Sequence, residues 1–86
     1  MPLKVSLVSA DAEIWSGEAS IVVARTVIGE IGLMAGHEPV LGILDRGEVR
    51  ITKTDGSKVI ANAQDGFLSM DGDEVSIVAG NAALIA

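Results

Sequence analysis

The 86-residue chain contains no cysteine, and this absence excludes three kinds of chemistry. A disulfide framework, a thiol nucleophile and a thiolate metal site all require cysteine side chains. Aromatic residues make up only 2% of the sequence, so Val, Ile, Leu and Ala have to fill the interior, with Trp15 and Phe67 as its only large flat side chains. The apolar fraction of 49% still predicts a folded globular chain.

Positive charge is also scarce, because 6 Lys and Arg residues face 12 Asp and Glu residues, for a formal net charge of -6 at pH 7. An acidic chain repels nucleic-acid phosphates, so nucleic-acid binding is not expected. Anionic lipid surfaces are disfavoured for the same reason. No apolar run approaches the roughly 20 residues that span a bilayer, and the N-terminus lacks a signal-peptide pattern. The sequence therefore predicts a soluble, cytoplasmic chain.

Closely spaced glycine-containing turn signals predict β-strands and leave no room for ordinary helices. Leu3, Val5 and Leu7 alternate with polar residues, as expected for a strand with one buried face. Asp55-Gly56 predicts a hairpin with a two-residue turn. Further turns are predicted at Ser16-Gly17, Asp65-Gly66 and Gly80-Asn81.

These signals predict a single domain, residues 1–86, because so short a chain cannot stabilise two cores. Its fold is predicted to be an all-β sandwich or flattened barrel. The predicted strands lie near 3–10, 18–26, 30–34, 40–44, 48–54, 57–63, 66–70, 74–79 and 82–85.

The segment GEIGLMAGHEP at 29–39 combines three glycines with Pro39 and the chain's single histidine, His37. No Gly-Lys-Ser/Thr follows these glycines, so they do not form a phosphate-binding loop. His37 has no cysteine partner, and nothing in the sequence indicates a Ser-His-Asp site. Three roles for His37 remain open at this point: a catalytic base, an imidazole hydrogen-bonded within a loop, and a contact residue at an interface.

Two further motifs have alternative interpretations. The acidic run at 71–74 is similar to the start of a calcium loop, but the twelfth position is Ala82 instead of the required glutamate, so a solvated turn is the better interpretation. A small acidic β-domain can also be a carrier with a modified lysine at a hairpin tip. Lys53 and Lys58 lie two residues outside the Asp55-Gly56 turn. A carrier domain with a modified lysine is therefore kept as an alternative function for this chain.

A set of short segments occurs in a specific order: VSA at 8–10, IWSG at 14–17, GEIGL at 29–33, GHEPVL at 36–41, GEVRI at 47–51, GFL at 66–68 and VSIVA at 75–79. The combination of GExG with a following GHxP is the most specific part. In this order the segments resemble the N-terminal β-sandwich domain of the epsilon-subunit family of bacterial F-type ATP synthases, which corresponds to the mitochondrial delta subunit.

The resemblance covers essentially the whole chain and implies a flattened antiparallel β-sandwich of about ten strands. It implies a non-catalytic central-stalk (rotor) subunit that links the gamma subunit to the c-ring and couples proton translocation to ATP synthesis. Such a subunit holds no cofactor or metal and associates with the membrane only through the complex, as a peripheral protein at the cytoplasmic face of the bacterial cell membrane. The given sequence reaches only to Ala86, about where the family's sandwich ends, so the family's C-terminal helical hairpin is not expected within it. Leu44-Asp45 lacks the rest of the family's ATP-binding motif.

The resemblance also implies contact residues. By its place in the motif, Glu30 resembles the residue that contacts the polar loops of the c-ring, and Met34 and His37 are expected to take part in the same contact. The gamma subunit is expected to meet an apolar sheet face that includes Ser9, Ala10, Val40, Leu41 and Gly42.

Overall fold

The computed structural model describes residues 2–10, 12–36 and 38–85. These residues form no helix and seven strands: β1 Leu3–Ser9, β2 Glu13–Thr26, β3 Gly29–Met34, β4 Val40–Ile43, β5 Gly47–Lys53, β6 Lys58–Asp71 and β7 Glu74–Leu84. The all-β prediction is confirmed, whereas the expected number of about ten strands is wrong.

Two predicted strand breaks do not exist, because the segments on either side of each break form the single strands β6 and β7. The two strands stay in register here, with Gln64 opposite Asn81 and Gly66 opposite Ala79. A Cβ atom on Gly66 would lie 1.8 Å from the Val78 carbonyl oxygen. Glycine at position 66 therefore permits a close approach of two continuous strands, where the sequence predicted turns. Ser16-Gly17, likewise predicted as a turn, lies inside β2.

The strand order is β1-β7-β6-β5-β2-β3, with β4 on β6, and an additional β1–β2 pairing closes the sheet on itself. Long strands contribute to both halves of the closed sheet. We define the β3 half as β3, β2 from Ile21, β5, and β6 up to Ala63. The β4 half consists of β4, β6 from Phe67, the first part of β7, β1, and β2 up to Ala19.

The strands β1 and β7 are parallel, so the prediction of a wholly antiparallel sheet is wrong for this pair. All other strand pairs of the described residues are antiparallel. Because β1 and β7 are distant in sequence, no short hairpin connection forces them to run in opposite directions.

Inward side chains from both halves form one hydrophobic core. Leu3, Val5 and Leu7 are all buried, which confirms the predicted alternation in the first strand. Trp15 packs half-buried against this core. Phe67, however, is 42% exposed, so the expectation that it fills the interior is wrong.

The predicted hairpin joins β5 to β6, but its turn is longer than two residues. The Gly56 N–H donates to the Lys53 carbonyl oxygen at 2.9 Å, and the Lys53 N–H donates to the Ser57 carbonyl oxygen at 2.8 Å. Gly56 has a positive φ of 90°, whereas Asp55 does not have the positive φ that a two-residue turn was expected to require. Instead, the Asp55 carboxylate accepts hydrogen bonds from the Ser57 N–H at 2.9 Å and the Ser57 hydroxyl at 2.6 Å.

Candidate docking surfaces

The residues predicted to contact the c-ring lie on β3, which is an edge strand because it pairs only with β2. Glu30 and Met34 point to the outer face and are exposed, while Leu33 between them is buried. Four residues of strand separate their Cα atoms by about 13 Å. Gly32 lies between them on the same face and leaves it open, since a Cβ there would meet nothing within 4 Å. His37, the third predicted residue, lies outside the described residues.

Glu30 borders a charged area on the outer face of the β3 half. Arg25 stands opposite Glu30 in the β2–β3 register. The Arg25 Nε atom lies 3.9 Å from Asp45 Oδ2, and the Arg50 Nε atom lies 3.2 Å from Glu48 Oε1. All four of these side chains are at least 43% exposed, so each ion pair contributes only about 0–1 kcal/mol. No described basic group forms an ion pair with Glu30, whose carboxylate is therefore available to a partner.

The β4 half has an outer face of different chemistry. Ile43 on β4 stands opposite Phe67 on β6, Phe67 opposite Val78 on β7, and Val78 opposite Val8 on β1. Ile43 is 56% exposed and Phe67 42%, while Val78 and Val8 are half-buried. Side chains in such cross-strand register are neighbours on one face. We call these four residues the apolar row.

A second row runs beside the apolar row and carries hydroxyl groups. It begins at Leu41, which is 71% exposed, and continues across β6, β7, β1 and β2 through Ser69, Ser76, Ser6 and Ser16. Neither row includes a charged residue. These two rows therefore present small and apolar side chains, whereas the β3 half presents arginines and carboxylates. Lys4 stands opposite Glu18 and Glu74 in the next row of the β4 half.

The structure brings only part of the predicted gamma-contact set together. Leu41 lies on the outer face of the β4 half, but Val40 packs against the core. A Cβ on Gly42 would lie 3.2 Å from Thr26 Cγ2 and 3.9 Å from Leu68 Cδ2, which places this position on the inner side.

The other two predicted residues, Ser9 and Ala10, lie at the end of β1. Ser9 pairs with Ala79 of β7, so β7 and β6 separate it from β4. The Ser9 N–H donates to the Ala12 carbonyl oxygen at 2.8 Å, and the Ser9 hydroxyl donates to the same oxygen at 3.3 Å.

Sequence reasoning missed all four members of the apolar row, including Ile43. Phe67, Val78 and Val8 come from three different strands and are distant in sequence. Only the cross-strand register places them in line with Ile43. The one available signal was the alternation of Leu41 and Ile43 with inward residues, which indicates an outward apolar side on β4.

The acidic run at 71–74 has a structural role in the turn between β6 and β7. Gly72 has a φ of 62°, and the Lys4 N–H donates to the Asp73 carbonyl oxygen at 2.7 Å. The Asp73 carboxylate accepts a hydrogen bond from the Gly36 N–H at 3.2 Å. This contact fastens the segment that follows β3 to the β6–β7 turn. Among the described residues no cluster of three or more acidic or histidine side chains could hold a metal ion.

The lysines required by the carrier alternative lie at the base of their hairpin. Lys58 is paired with Thr52, and Lys53 is half-buried. The tip itself is held by the Asp55–Ser57 hydrogen bonds. The carrier alternative is not supported.

No helix in the described part of the chain is long and apolar enough to cross a membrane.

The family model for the β-sandwich domain of the ATP synthase delta/epsilon chain matches residues 2–85, and the chain belongs to this family. An ATP synthase epsilon chain of Streptomyces coelicolor is 50% identical over 82 residues, which cover 95% of this chain and 66% of the relative. This chain thus spans just under two thirds of that relative's length. An ATP synthase epsilon chain of Micrococcus luteus is 52% identical over 82 residues, covering 95% of this chain and 90% of the relative.

A solved structure gives the same fold. One chain of the Euglena gracilis mitochondrial ATP synthase, in a structure containing OSCP, F1 and the c-ring, matches with a TM-score of 0.90 and 25% sequence identity. The match covers 96% of this chain and 53% of the Euglena chain. The flattened, closed sheet described above is therefore the β-sandwich of this family.

Proposed function

We propose that this chain is a non-catalytic rotor subunit of an F-type ATP synthase, where it links the gamma subunit to the c-ring. In this role it couples proton translocation to ATP synthesis without performing chemistry. As a peripheral subunit it is held at the cytoplasmic face of the bacterial cell membrane by the complex. Membership of the family and the close structural match to a chain of an ATP synthase structure that contains OSCP, F1 and the c-ring support the proposal.

The observation that carries the proposal is the presence of two chemically different outer faces on one closed sheet. A subunit that joins two rotating partners needs two contacts on one stiff body, because a compliant link stores torque as local deformation. Close-packed interiors have low compressibility and transmit strain. The single core shared by both halves of the sheet meets this requirement.

Each face suits one of the two partners. The exposed carboxylate of Glu30, with Met34 on the same face, suits polar loops such as those of the c-ring, and His37 belongs to the same proposed contact. The apolar row and Leu41 suit the gamma subunit, because permanent interfaces are more apolar than transient ones. Ser9 and Ala10 would then lie at the border of the gamma contact.

The proposal is tested by recovering an affinity-tagged chain from detergent-solubilised membranes of its own host. The expected result is co-purification of both the gamma and the c subunits, with membranes from the untagged strain as the control. Recovery of neither subunit would contradict the proposal. Recovery of gamma without c would restrict the proposal to the contact with the gamma subunit, and it would remove Glu30 and Met34 from the ring contact.

A further inference from the structure

The chain contains three Asp-Gly dipeptides, at 55–56, 65–66 and 71–72. In such a dipeptide the main-chain nitrogen of the glycine can attack the carboxyl carbon of the preceding aspartate, because glycine has no Cβ that blocks the approach. The reaction requires that the carboxyl group and the glycine N–H are released from other contacts and that the backbone between them can rotate. The structure restrains the three dipeptides to very different degrees.

Asp65-Gly66 is held inside a sheet, because β6 is continuous through this point. The neighbouring strand lies so close that a Cβ on Gly66 would lie 1.8 Å from the Val78 carbonyl oxygen. The Gly66 carbonyl oxygen also accepts a hydrogen bond from the Leu44 N–H at 2.9 Å. Rotation of the backbone at this dipeptide would therefore disrupt its contacts with β7 and with Leu44.

Asp55-Gly56 lies in a turn, but both of its reacting groups are already occupied. The Asp55 carboxylate accepts hydrogen bonds from the Ser57 N–H at 2.9 Å and from the Ser57 hydroxyl at 2.6 Å. The Gly56 N–H donates to the Lys53 carbonyl oxygen at 2.9 Å. These hydrogen bonds have to break before the Gly56 nitrogen can reach the carboxyl carbon of Asp55.

Asp71-Gly72 has none of these restraints. Asp71 and Glu74 form the last pair of the β6–β7 ladder, and the end of a ladder opens more easily than its centre. Within the described residues, neither the Gly72 N–H nor the Asp71 carboxylate forms a hydrogen bond or an ion pair. Both residues are exposed, and a Cβ on Gly72 would meet nothing within 4 Å, so the space around the two reacting groups is open.

We propose that Asp71-Gly72 is a site of spontaneous isoaspartate formation in the folded chain. The Gly72 nitrogen forms a bond to Asp71 Cγ, and the carboxyl hydroxyl leaves with the amide hydrogen as water, which closes a succinimide ring. Water then adds to the main-chain carbonyl carbon of Asp71 and breaks its bond to the Gly72 nitrogen. The main chain now runs through Cγ, and the atomic composition of the chain is unchanged.

The modification changes a turn that holds another part of the molecule. Only Gly72 and Asp73 connect the paired residues Asp71 and Glu74, and Gly72 has a φ of 62°, as in a hairpin turn with glycine at its first central position. An additional main-chain carbon does not fit this short turn. Because the Asp73 carboxylate accepts the Gly36 N–H at 3.2 Å, isoaspartate at position 71 is expected to release the segment that follows β3.

Ageing of the purified, folded chain at neutral pH tests the assignment of the site. Chromatography with mass spectrometry locates isoaspartate in the peptides, and an isoaspartate-specific carboxyl methyltransferase detects the new carboxyl group. Isoaspartate is expected to accumulate at 71–72 about fivefold faster or more than at 55–56 or 65–66, since each hydrogen bond that protects a dipeptide has to open first. In urea the three rates should agree within about twofold, because unfolding removes the contacts that distinguish the sites.

Two variants sharpen this comparison. Asp71→Glu keeps the charge, but its longer side chain closes the corresponding ring much more slowly, so isoaspartate should disappear at this position and form at the other two sites as in wild type. Ser57→Ala removes the hydroxyl that donates to Asp55 and should accelerate the reaction at 55–56. Equal rates at the three dipeptides of the folded wild-type chain, or a faster reaction at 55–56 or 65–66, would overturn the assignment.

Amide exchange of the isomerised chain tests the expected release. Chromatography separates this form from the parent chain, and its Gly36 amide is expected to exchange faster than in the parent. Unchanged exchange at Gly36 would show that the modified turn still holds the segment, which would overturn the release. All these measurements use the isolated chain, so their outcome does not depend on the proposed function.

Discussion

The two halves of the sheet are alike on the inside and different on the outside. Both bury alternate aliphatic side chains in one core, such as Val22 and Ile51 in the β3 half and Leu7 and Ile77 in the β4 half. On the outside, the β3 half carries arginines and carboxylates in exposed pairs, while the β4 half carries an apolar row beside a row of serines. The inward residues therefore specify the fold, and the outward residues specify what each half can bind.

Exposure alone does not distinguish these surfaces, because single exposed hydrophobic residues are normal on any protein. What distinguishes the β4 half is contiguity: its exposed apolar residues line up across neighbouring strands. A contiguous apolar patch on a soluble domain commonly marks a contact with a partner. The ion pairs of the β3 half contribute little to stability, so their residues are free to vary with the partner.

The largest expected effect comes from disrupting the close approach of β6 and β7 at Gly66, because both strands run through this point. Gly66→Ala would place a Cβ atom against the Val78 carbonyl, where two backbones already touch. We expect a loss of about 3 kcal/mol or more, which lowers the Tm by about 10 °C or more and disturbs both faces together. Thermal unfolding followed by circular dichroism measures this loss.

Gly32→Ala is the matched control, since a Cβ at Gly32 meets nothing within 4 Å. We expect it to change the free energy of unfolding by less than about 0.5 kcal/mol. If the Gly66→Ala chain proved as stable as this control, the close approach of β6 and β7 at Gly66 would not require a glycine.

The next effects should fall on one face each. Phe67→Ser removes the largest side chain of the apolar row and is expected to weaken gamma binding about tenfold. The protein is expected to stay folded, because the Phe67 side chain is 42% exposed. Binding to purified gamma subunit measures this loss. The change should leave the charged face intact. A Phe67→Ser chain with wild-type gamma affinity would remove the apolar row from the proposed interface.

Glu30→Arg reverses the charge of the available side chain on β3. Unlike Phe67→Ser, it should affect the ring contact and leave gamma binding unchanged. We expect gamma affinity to stay within about threefold of wild type, because an exposed charge contributes little elsewhere. ATP synthesis at a given proton gradient, measured in membrane vesicles, should fall, since reversed charge at a partner's polar loop is repelled or unpaired. Glu18→Arg, at an exposed glutamate opposite Lys4, is the control. Unchanged coupling with Glu30→Arg would exclude Glu30 from the ring contact.

Three Asp-Gly dipeptides show how far local sequence predicts this fold. All three were predicted as turns, and 55–56 and 71–72 are turns in which glycine adopts a positive φ. At 65–66 the aspartate adopts the positive φ instead, and the strand continues. The difference comes from the partner strand: Gly80 lies against Asp65, where a Cβ would approach the Asp65 carbonyl oxygen to 3.0 Å. Local turn chemistry contains no information about that partner, so the two merged strands could not be predicted.

The candidate surfaces divide in the same way. Glu30 and Met34 share one strand, so their common exposed face follows from the period of two and the motif. The apolar row requires the register of four strands, and Phe67 looked like a core residue because large aromatic side chains are commonly buried. Predicting the row would have required knowing that β6 is continuous and pairs with β4 in its second half.

A smaller effect is expected where the two halves meet beside the segment that follows β3. Asp73→Ala removes the carboxylate that accepts the Gly36 N–H, and a solvent-exposed hydrogen bond of this kind contributes about 1 kcal/mol or less. We expect amide exchange at Gly36 to accelerate up to about fivefold, while amides in β7 exchange as in wild type. Asp73→Asn keeps an acceptor oxygen and should restore slow exchange. Equal exchange in all three chains would mean that Asp73 does not hold this segment in solution.

The smallest effect concerns pH at the β5–β6 hairpin. Hydrogen bonds from the Ser57 hydroxyl and then the Ser57 N–H hold the pKa of the Asp55 carboxyl below its usual value of 3.8. Because the folded-state pKa is lowered, the contribution to stability is present above the usual value and is lost as pH falls through the lowered one. NMR titration should give an Asp55 pKa below 3.8, and Ser57→Ala should raise it towards that value. Identical Asp55 titration curves in the wild-type and Ser57→Ala chains would mean that the Asp55–Ser57 hydrogen bonds do not hold the turn. Loss of these hydrogen bonds in acid should leave the apolar row and Glu30 in place.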